Sequence, residues 1–426
     1  MNTASTTTSR NNRIVVIGGG AAGMLAAVSA RREDNEVVII EKNPYCGKKL
    51  NITGKGRCNV TNDCTVPEYL ENVIRNPKFL LKAAYRFPPA SVMEFFESAG
   101  VPLKTERGRR VFPQSDRAQD ITDCLTEMLR ANGVHRLRGN VCDIVVNEKK
   151  VCGVRYLVSS NHGEREIACD AAIICTGGMS YPATGSDGSG YALARKLGHT
   201  VVTPRGSLVP LVTKEKWPGE LTGLSLKNVN LTLKSGGKTL FSEQGEMLFT
   251  HFGISGPLVL SGSALIESFP CEAFIDMKPA LTEEVLDERI RSDFEKSINR
   301  HFINSLDELL PKAMIPHAAH LSGIPSEKPV NSVTRAERRA LAALLKAIPL
   351  NVTGTRPVEE AIVTAGGVNV REIDPSTMQS RLVRGLYFAG EIIDVDCRTG
   401  GYNLQTAFCT GRLAGESAAD GVTKKL

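Results

Sequence analysis

Three glycines near the start of the sequence have the spacing of a dinucleotide-binding turn. Gly18, Gly20 and Gly23 follow the apolar run RIVVI and open a small-residue helix, and a second apolar run then ends in Glu41. In this arrangement the glycines permit a tight turn, close approach of backbone to a pyrophosphate, and packing of helix on strand. The helix N-terminus attracts the phosphates, and the acid accepts hydrogen bonds from a ribose. The sequence therefore predicts a dinucleotide site.

The far end of the chain indicates which dinucleotide. A strand-like segment, LYFAG, leads into Gly390, Glu391 and Asp394. This resembles the second fingerprint of FAD proteins of the glutathione-reductase type, in which an acid after a strand-end glycine holds the ribityl chain. The glycine-opened helix that follows has its N-terminus at 401–404, where its dipole can stabilise the anion of reduced flavin. An NAD site needs only the first motif, so the two ends together favour FAD.

The elements that position these motifs divide the chain into segments. The sequence predicts a disordered tail over 1–12 and a discontinuous FAD-binding domain over 13–205 and 351–421. A middle segment, DAAIICTGGMSYPATGSDGSGYALARKLG, leads a strand into Thr176 and Gly177. It resembles the turn that flavoproteins of this fold carry beside the adenosine half of FAD, so it is assigned to this domain. The residues between are predicted as insertions. A β-rich domain covers 206–280, with a hairpin at 229–242, and a helical domain covers 281–350, with amphipathic patterns at 282–310 and 334–348.

The loop NITGKGRCNVTN, at 51–62, fits neither helical nor strand periodicity. It follows the strand that ends in Glu41, so we expect it to lie across the bound FAD. Lys49, Lys55 and Arg57 are candidates to offset pyrophosphate charge, and Gly54 and Gly56 let backbone approach the cofactor. Cys58 has two interpretations: a charge-transfer thiol beside the flavin, or a small side chain packed against it, which we favour.

Two further features have competing interpretations. His251, in LFTHFGISGP, is the best candidate for a general acid, although a structural histidine is the simpler interpretation. The segment TERGRRVFPQSDRA, at 105–118, is either a solvated face or an anion-steering rim. Its four arginines are Arg107, Arg109, Arg110 and Arg117.

The composition restricts the class of protein. The 426 residues include 42% apolar and 23% charged residues, which is typical of a soluble globular protein. The formal charge of +6 is mild, so a small-molecule substrate is favoured over nucleic acid as partner. Eleven cysteines without C-x-x-C spacing argue against zinc or a disulfide framework and for a reducing cytoplasm. No segment resembles a signal peptide or a membrane span, and the sequence indicates no oligomeric state.

Seven segments together resemble the BaiN/YhiN-type NAD(P)/FAD-dependent oxidoreductases. They cover nearly the whole chain after the tail in the family's order: GGGAAGMLAA, GKKLNITGKGRCNVTN, RGRRVFPQSDRA, TGGMSYPATGSDGSGY, LFTHFGISGP, VTAGGVNVREIDPSTMQS and GLYFAGEIIDVDCRTGGYNLQTA. The resemblance implies an α/β fold in which a glutathione-reductase-like Rossmann FAD domain is interrupted by a β-barrel-like domain and a helical domain. Family members are assigned reduction of conjugated C=C bonds in oxo-bile acids, oxidation of amines such as aminoacetone, or dihydrouridine formation in ribosomal RNA.

The motifs and the resemblance together predict the cofactor contacts. His251 is the predicted catalytic residue, and no metal site is predicted. The residues predicted to contact FAD are Gly18, Gly20, Ala21, Ala22, Gly23, Glu41, Lys42, Lys49, Thr53, Gly54, Gly56, Arg57, Cys58, Asn59, Val141, Thr176, Gly177, Gly390, Glu391, Asp394, Gly401, Tyr402, Asn403 and Leu404.

The reaction we favour from the sequence has two halves: NAD(P)H reduces FAD, and reduced flavin passes a hydride to a conjugated C=C. The chain has no second complete G-x-G-x-x-G for a resident nicotinamide domain, so the nicotinamide binds only transiently. That absence keeps open a flavin-dependent amine oxidase that uses O₂. An RNA dihydrouridine synthase is a further alternative, and a flavin-binding module without turnover is the least favoured.

Overall fold

The computed structural model describes residues 12–158 and 163–423. The predicted tail lies outside these residues except for Asn12, which begins the first strand. The chain divides into two units: the first runs up to Ser207 and resumes at Val358, and the second spans Leu208–Pro357. The β-rich and helical insertions predicted over 206–280 and 281–350 thus correspond together to the second unit. The observed unit begins two residues later and ends seven residues later than predicted.

The strands of the described residues form a parallel sheet, a closed barrel and three small antiparallel sheets. In chain order they are β1 Asn12–Ile17, β2 Asn35–Glu41, β3 Thr61–Asn62, β4 Leu103–Glu106, β5 Arg110–Pro113, β6 His135–Arg138, β7 Asn140–Asn147, β8 Lys150–Leu157, β9 Glu164–Ala168, β10 Ala171–Ile174, β11 Val201–Ser207, β12 Leu211–Thr213, β13 Ser225–Ser235, β14 Lys238–Thr250, β15 Gly253–Ser255, β16 Cys271–Asp276, β17 Ile348–Thr355, β18 Val363–Val368 and β19 Leu386–Phe388.

The α-helices of the described residues surround these sheets and the barrel. In chain order they are α1 Ala21–Ala30, α2 Val66–Glu71, α3 Leu81–Arg86, α4 Pro89–Ser98, α5 Ala118–Ala131, α6 Ser189–Lys196, α7 Trp217–Glu220, α8 Pro257–Ser263, α9 Glu283–Lys296, α10 Ile315–Ser322, α11 Arg335–Lys346 and α12 Tyr402–Thr423. Within the two described ranges, none of these helices has the length and apolarity needed to span a bilayer.

The core of the first unit is a five-stranded parallel sheet in the order β19-β10-β1-β2-β6. Its inner strands β10, β1 and β2 are rich in apolar residues, and Ile14, Val15 and Val16 have no exposed surface, as expected when helices cover both faces. The register aligns Ile17 with Ile174 of β10, which in turn aligns with Phe388 of β19. The carboxyl ends of strands from the beginning, middle and end of the chain therefore meet at one edge.

Two long helices of the first unit pack very closely beside this sheet. A Cβ atom at Gly411 of α12 would overlap the carbonyl oxygen of Ala22 in α1, and one at Gly415 would overlap that of Ala26. Only glycine fits at these two positions, because the backbones are nearly in contact. The close packing brings α12 beside the first turn of α1.

The second unit is built on the closed barrel β12-β15-β14-β13-β16-β17. The hairpin predicted at 229–242 is confirmed: β13 pairs with β14 around Gly236 and Gly237, whose φ angles of 54° and 78° suit a tight turn. The helical pattern predicted over 282–310 is shorter than expected, since α9 ends at Lys296.

The predicted boundary of the helical domain, at residue 350, falls inside a strand, and α11 ends at Lys346, two residues before the end of the pattern predicted over 334–348. From Ile348 onward the chain alternates buried and exposed side chains as β17, which pairs with β16 and β12 and so belongs to the barrel. Leu286, Leu341 and Leu345 from the helices share one apolar core with the barrel strands.

Candidate functional site

The three glycines at the turn between β1 and α1 have different roles. A Cβ at Gly18, whose φ is 101°, would lie 2.6 Å from the carbonyl oxygen of Cys175, and one at Gly23 would overlap the carbonyl oxygen of Gly18. A Cβ at Gly20 would have no neighbour within 4 Å. The fold thus requires the first and last glycines, while Gly20 faces open space. Ala21 and Ala22 begin the helix there, and its N-terminal N–H groups favour an anion.

Glu41, at the end of β2, connects this turn to the next loop. It is 8% exposed. Its Oε2 accepts the Gly19 N–H at 2.6 Å, and its Oε1 accepts both the backbone and side-chain N–H groups of Asn43 at 2.7 Å. A carboxylate has about four acceptor positions, so one remains for a ribose hydroxyl. Asn43, which also donates to Thr184 O at 2.9 Å, was missed by the sequence analysis.

The loop after β10 lies against the segment that follows β2. Lys42 Nζ is 2.7 Å from Asp187 Oδ1. Gly177 has a φ of 74°, and a Cβ there would lie 2.6 Å from Ser186 Oγ. Thr176 Oγ1 is buried without a hydrogen-bond partner in the described part of the chain. These contacts bring together the predicted residues of the adenosine half.

Val141 is a buried residue of β7, paired with Tyr156 of β8. The link between β6 and β7 passes beside Glu41, because Gly139 N–H donates to the Glu41 carbonyl oxygen at 3.0 Å. Val141 is therefore two residues along the chain from Gly139, the residue that bonds to Glu41, the predicted ribose acceptor.

The second glycine motif meets the first. Gly390 has a φ of 77°, and a Cβ there would lie 2.8 Å from the Cβ of Ala22 in the first turn of α1. Its N–H donates to Thr410 Oγ1 of α12 at 3.0 Å. The motifs predicted to bind opposite halves of FAD thus converge at the edge where the strands end.

Glu391 joins three separate segments of the first unit. Its Oε2 is 2.8 Å from Lys49 Nζ, and its Oε1 accepts the Thr364 N–H at 2.8 Å and the Ser180 hydroxyl at 3.0 Å. Lys49 Nζ also donates to Ser180 Oγ at 2.7 Å. Glu391 therefore links the segments that contain Lys49, Ser180 and Thr364. Its contact with the ribityl chain stays a prediction.

Asp394 is the less satisfied acid of this motif. It is 9% exposed, and its Oδ2 accepts from Asn76 Nδ2 at 3.2 Å, whereas its Oδ1 is buried with no partner in the described ranges. Burial raises the pKa of Asp394 above the usual range. Its neighbour Asp396, which the sequence analysis missed, is paired with Arg75 at 2.6 Å and accepts from Ser207 Oγ at 2.6 Å.

The basic loop after β2 is a strained, tightly turned segment. Residues with positive φ are frequent in it: Gly54 at 57°, Lys55 at 59°, Gly56 at 85° and Cys58 at 58°. The Cys58 N–H donates to Thr53 O at 3.0 Å, and the Thr53 hydroxyl donates to Leu50 O at 2.6 Å. Local hydrogen bonds therefore stabilise the turn.

Arg57 is engaged by carboxylates of the first unit. Its guanidinium pairs with Glu106 of β4 and with Asp116, whose Oδ1 lies 2.8 Å from Nε, and it stacks 4.2 Å from the centre of the Phe112 ring. Its predicted contact with the pyrophosphate stays a prediction.

Cys58 has the environment of a packed side chain. It is fully buried, and burial raises the pKa of its thiol to about 12. At neutral pH such a group is a thiol and not a thiolate, so it is a poor charge-transfer donor. All eleven cysteines are free, without a disulfide. These observations favour the packing interpretation of Cys58.

The N-terminus of α12 is clamped by side chains that follow Cys58. With its amide turned to satisfy its neighbours, Asn59 accepts the Gly401 N–H at 2.9 Å. Asn62 Nδ2 donates to the Gly400 carbonyl oxygen at 3.0 Å. A Cβ at Gly401, whose φ is 98°, would overlap the carbonyl oxygen of Thr61. Asn62 and Thr61 were missed by the sequence analysis, although both lie in the quoted loop.

At the start of α12 the Asn403 side chain is hydrogen-bonded within the protein, whereas the backbone N–H groups of the first turn have no partner within the helix. The Asn403 side chain accepts the Cys397 N–H and donates to the Cys397 carbonyl oxygen, both at 3.0 Å. Tyr402 is half-buried, with its ring 6.4 Å from that of Tyr69, and Leu404 is partly buried. The first N–H groups of a helix have no partner within it, so those of 402–404 are available to an anionic group.

Three of the four arginines in segment 105–118 lie near carboxylates. Arg109 lies 2.8 Å from Glu68, while Arg110 and Arg117 lie 4.0 Å from Glu106 and Asp120. Paired surface charges of this kind are solvated and contribute little. The contacts favour the solvated-face interpretation of this segment.

His251, in the second unit, lies exposed in the turn between β14 and β15. Its ring meets the Phe252 ring edge-on with 4.9 Å between centroids, and the Arg356 guanidinium lies 4.7 Å from the centre of the same Phe252 ring. An imidazole and a guanidinium thus flank one aromatic ring. The sequence analysis missed both residues. Phe252 lies in the quoted segment LFTHFGISGP but carries no polar group, and Arg356 lies outside the quoted segments.

The residues at the strand ends of the first unit suit FAD. Gly20 and the N-terminus of α1 leave room for a pyrophosphate, Glu41 retains an acceptor position for a ribose, and Lys42 and Lys49 supply positive charge. The N–H groups at the start of α12 suit the electron-rich edge of a flavin. Among residues 12–158 and 163–423, no group of three or more His, Cys, Asp or Glu side chains could hold a metal ion.

Comparison with known proteins agrees with this donor set. The model of the family described as "HI0933-like protein Rossmann domain" matches residues 12–417. The chain belongs to that family. It is an FAD-dependent oxidoreductase with a Rossmann-type FAD-binding domain, as the sequence predicts.

Two relatives illustrate the range of named activities. The chain is 33% identical to the 3-dehydro-bile acid Δ(4,6)-reductase of Clostridium scindens over 387 residues, which cover 90% of this chain and 92% of the relative. It is 31% identical to the ribosomal RNA dihydrouridine synthase of Escherichia coli over 373 residues, 87% of this chain and 89% of the relative.

A solved structure shares the fold at low identity. The 3-ketosteroid Δ1-dehydrogenase of Sterolibacterium denitrificans, crystallised with 1,4-androstadiene-3,17-dione, superposes with a TM-score of 0.52 at 14% identity. The match covers 96% of this chain and 100% of that chain.

Proposed function

We propose that this enzyme uses NAD(P)H to reduce a conjugated C=C bond of a ring enone. The observation that carries the proposal is the 33% identity, across nearly the whole of both chains, to a protein named as a bile acid Δ(4,6)-reductase. In such a reaction NAD(P)H is oxidised, the β-carbon of the enone gains a hydride and the α-carbon gains a proton. The substrate we propose is small and largely apolar, with a carbonyl conjugated to the reducible bond.

Residues of the first unit hold the cofactor in this proposal. Gly20 and the N-terminus of α1 bind the pyrophosphate, Glu41 accepts from the adenosine ribose, and Lys49 balances negative charge beside Glu391. FAD, when bound, supplies hydride transfer between the nicotinamide and the enone. The N–H groups at 402–404 bind the flavin edge that becomes negative on reduction, which makes electron uptake more favourable.

His251 is the proton donor in this proposal. His251 has an exposed imidazole, so substrate and solvent protons can reach it. Arg356 lies 4.7 Å from the centre of the Phe252 ring that His251 also contacts, and in this proposal its charge polarises a substrate carbonyl. We therefore assign His251 to protonation of the α-carbon.

Ribosomal RNA dihydrouridine synthesis is the second candidate. Relatives of that name are 31% and 30% identical to this chain. The uracil ring also carries a C=C bond conjugated to a carbonyl, so the same hydride and proton additions apply. The formal charge of +6 is mild for 426 residues, so we favour the small-molecule substrate.

Anaerobic stopped-flow spectroscopy of the purified enzyme tests the proposal. NADH or NADPH should bleach the flavin, and a steroidal 4-en-3-one should restore its absorbance faster than ribosomal RNA or O₂ does. Faster reoxidation by RNA, with affinity that falls steeply with salt, would favour the RNA enzyme. Bleaching by amines with peroxide release on admitting O₂, and none by NAD(P)H, would instead indicate an amine oxidase.

A further inference from the structure

A buried hydrogen bond connects β3 to the first turn of α12. The Thr61 hydroxyl donates to Gln405 Oε1 at 2.7 Å, across 344 residues of sequence. Both side chains have no exposed surface. Gln405 Nε2 in turn donates to the Phe87 carbonyl oxygen at 2.8 Å. The amide of Gln405 is therefore held at both ends inside the first unit, and neither Thr61 nor Gln405 can contact a ligand directly.

We expect this hydrogen bond to fix the direction of α12 more directly than the hydrogen bonds of Asn59 and Asn62 do. Asn59 and Asn62 hold Gly401 and Gly400, which precede the helix and are flexible residue types. Gln405 lies within the first helical turn, and its N–H donates to the Gly401 carbonyl oxygen at 3.0 Å. A displacement of its side chain therefore moves the turn that carries the N–H groups of 402–404.

We propose that Thr61, acting through Gln405, is a positioning residue that sets the redox properties of the flavin. The attraction of a helix N-terminus for negative charge falls off within its first turn, so a small tilt changes it markedly. Reduced flavin carries more negative charge at its N1/O2 edge than oxidised flavin does. A correctly held first turn therefore binds reduced FAD relatively more tightly. This inference rests on FAD binding by the family and is independent of the proposed substrate.

The test is the midpoint potential of the FAD-loaded enzyme, measured by dye-coupled titration. Thr61→Val keeps the shape of the side chain and removes the donor, which leaves Gln405 Oε1 without its partner. We expect a lower potential, equivalent to a roughly three- to ten-fold fall in the ratio of the affinities for reduced and oxidised FAD. Thr61→Ser retains the hydroxyl and should stay near the wild-type potential.

A control separates positioning from general loss of stability. Ser305 is also buried and donates its hydroxyl to the Phe302 carbonyl oxygen at 2.7 Å, but it lies in the second unit. Ser305→Ala should lower the unfolding free energy as Thr61→Val does and leave the potential unchanged.

A second variant protects the test against misfolding. Gln405→Met removes the same hydrogen bond from the other side with a flexible side chain of similar length, and it should lower the potential in the same direction. An unchanged potential in either variant, once folded and loaded with FAD, overturns the proposal. A shift of the same size in Ser305→Ala also overturns it.

Discussion

The ammonium group of Lys49 and the carboxylate of Glu391 form an ion pair at 2.8 Å although they are 342 residues apart in sequence. Both side chains are 21% exposed, so the pair is partly shielded from water. Ser180 bonds to both partners. The pair thus fastens the loop after β2 to the motif after β19, at the edge where the parallel strands end.

Lys49→Met should weaken FAD binding. The change leaves the Glu391 carboxylate without its counter-charge next to the proposed position of an anionic cofactor. We expect the dissociation constant for FAD to rise roughly ten-fold or more, measured by flavin fluorescence on titration of the apoenzyme. Lys82→Met is the matched control, because Lys82 lies exposed on α3. Equal dissociation constants for the two variants would contradict the assignment.

Gly20→Ala and Gly23→Ala should fail in different ways. Gly20 has an extended φ of −79°, and a Cβ there meets no atom within 4 Å, so the apoprotein should keep its unfolding free energy to within about 0.5 kcal/mol. The added methyl should nevertheless obstruct the pyrophosphate and weaken FAD binding at least ten-fold. Gly23→Ala should destabilise the apoprotein by about 1–3 kcal/mol, because its Cβ overlaps Gly18 O. Urea unfolding and FAD titration distinguish the two, and a destabilised Gly20→Ala apoprotein would refute this division.

Cys58 should be chemically silent in the folded enzyme. Its thiol is fully buried with a pKa of about 12, so it offers no thiolate at neutral pH. Alkylation with iodoacetamide followed by peptide mass spectrometry should label exposed Cys152 and spare Cys58. The holoenzyme should also lack the long-wavelength absorbance band of a thiolate–flavin pair. Early labelling of Cys58, or such a band that disappears in Cys58→Ser, would show that the thiol is active.

His251→Ala should separate the two half-reactions. Flavin content and the rate of reduction by NAD(P)H should stay as in the wild type, because neither step needs the proton donor. Reoxidation by an enone should slow by roughly 10²- to 10⁴-fold, the usual contribution of a general acid. Stopped-flow rates for both steps provide the measurement, with His320→Ala, an exposed histidine of α10, as control. An unaltered enone rate removes His251 from the mechanism.

Stability should depend on pH through His199. Its side chain is fully buried, with Nε2 at 2.9 Å from Ser380 Oγ and Nδ1 at 3.2 Å from Glu372 Oε2. Burial lowers the pKa of His199, and Glu372 only partly opposes this effect. The unfolded chain therefore takes up the proton more readily, and stability contributed by the neutral ring is lost as pH falls below about 6.5.

His199→Gln should abolish that part of the pH dependence. Unfolding free energies from urea titrations across roughly pH 5 to 7.5 should decline less steeply towards acid than those of the wild type. His135→Gln, at an exposed position of β6, should leave the wild-type slope intact. Parallel curves for wild type and His199→Gln would show that His199 is not the group responsible.

Local patterns made the FAD-binding core predictable. The glycines at 18–23 follow an apolar run and open a helix within a few residues, so their roles can be inferred without knowing any distant contact. The clamps between segments could not be inferred in this way. Nothing near Asn59 indicates Gly401 as its partner, and nothing near Lys49 indicates Glu391, because each pair forms only when the sheet brings the ends of the chain together.

Tertiary contacts also add partners that local patterns do not show. Arg57 stands among glycines and lysines, which suggested a phosphate contact, and that contact stays a prediction. The fold also brings Glu106 of β4 and Asp116, in the turn after β5, to its guanidinium. The amphipathic pattern at 334–348 includes Ile348, but α11 ends at Lys346 and Ile348 begins β17, which pairs with β16 and β12. These pairing strands are distant in sequence, so the local pattern could not indicate where the helix ends.

The position of β19 in the chain has a consequence for how the protein is made. Translation delivers β1, β2 and β10 first, then the whole of the second unit, and only afterwards β19 and α12. The second unit is continuous in sequence and can fold while the ribosome is still working, since domains generally fold as they emerge. The FAD unit lacks an edge strand and the helix that packs on α1 until synthesis has passed residue 423. We therefore expect FAD to bind late in synthesis. Until then β10 lacks its neighbour β19, and that side of the parallel sheet is unpaired.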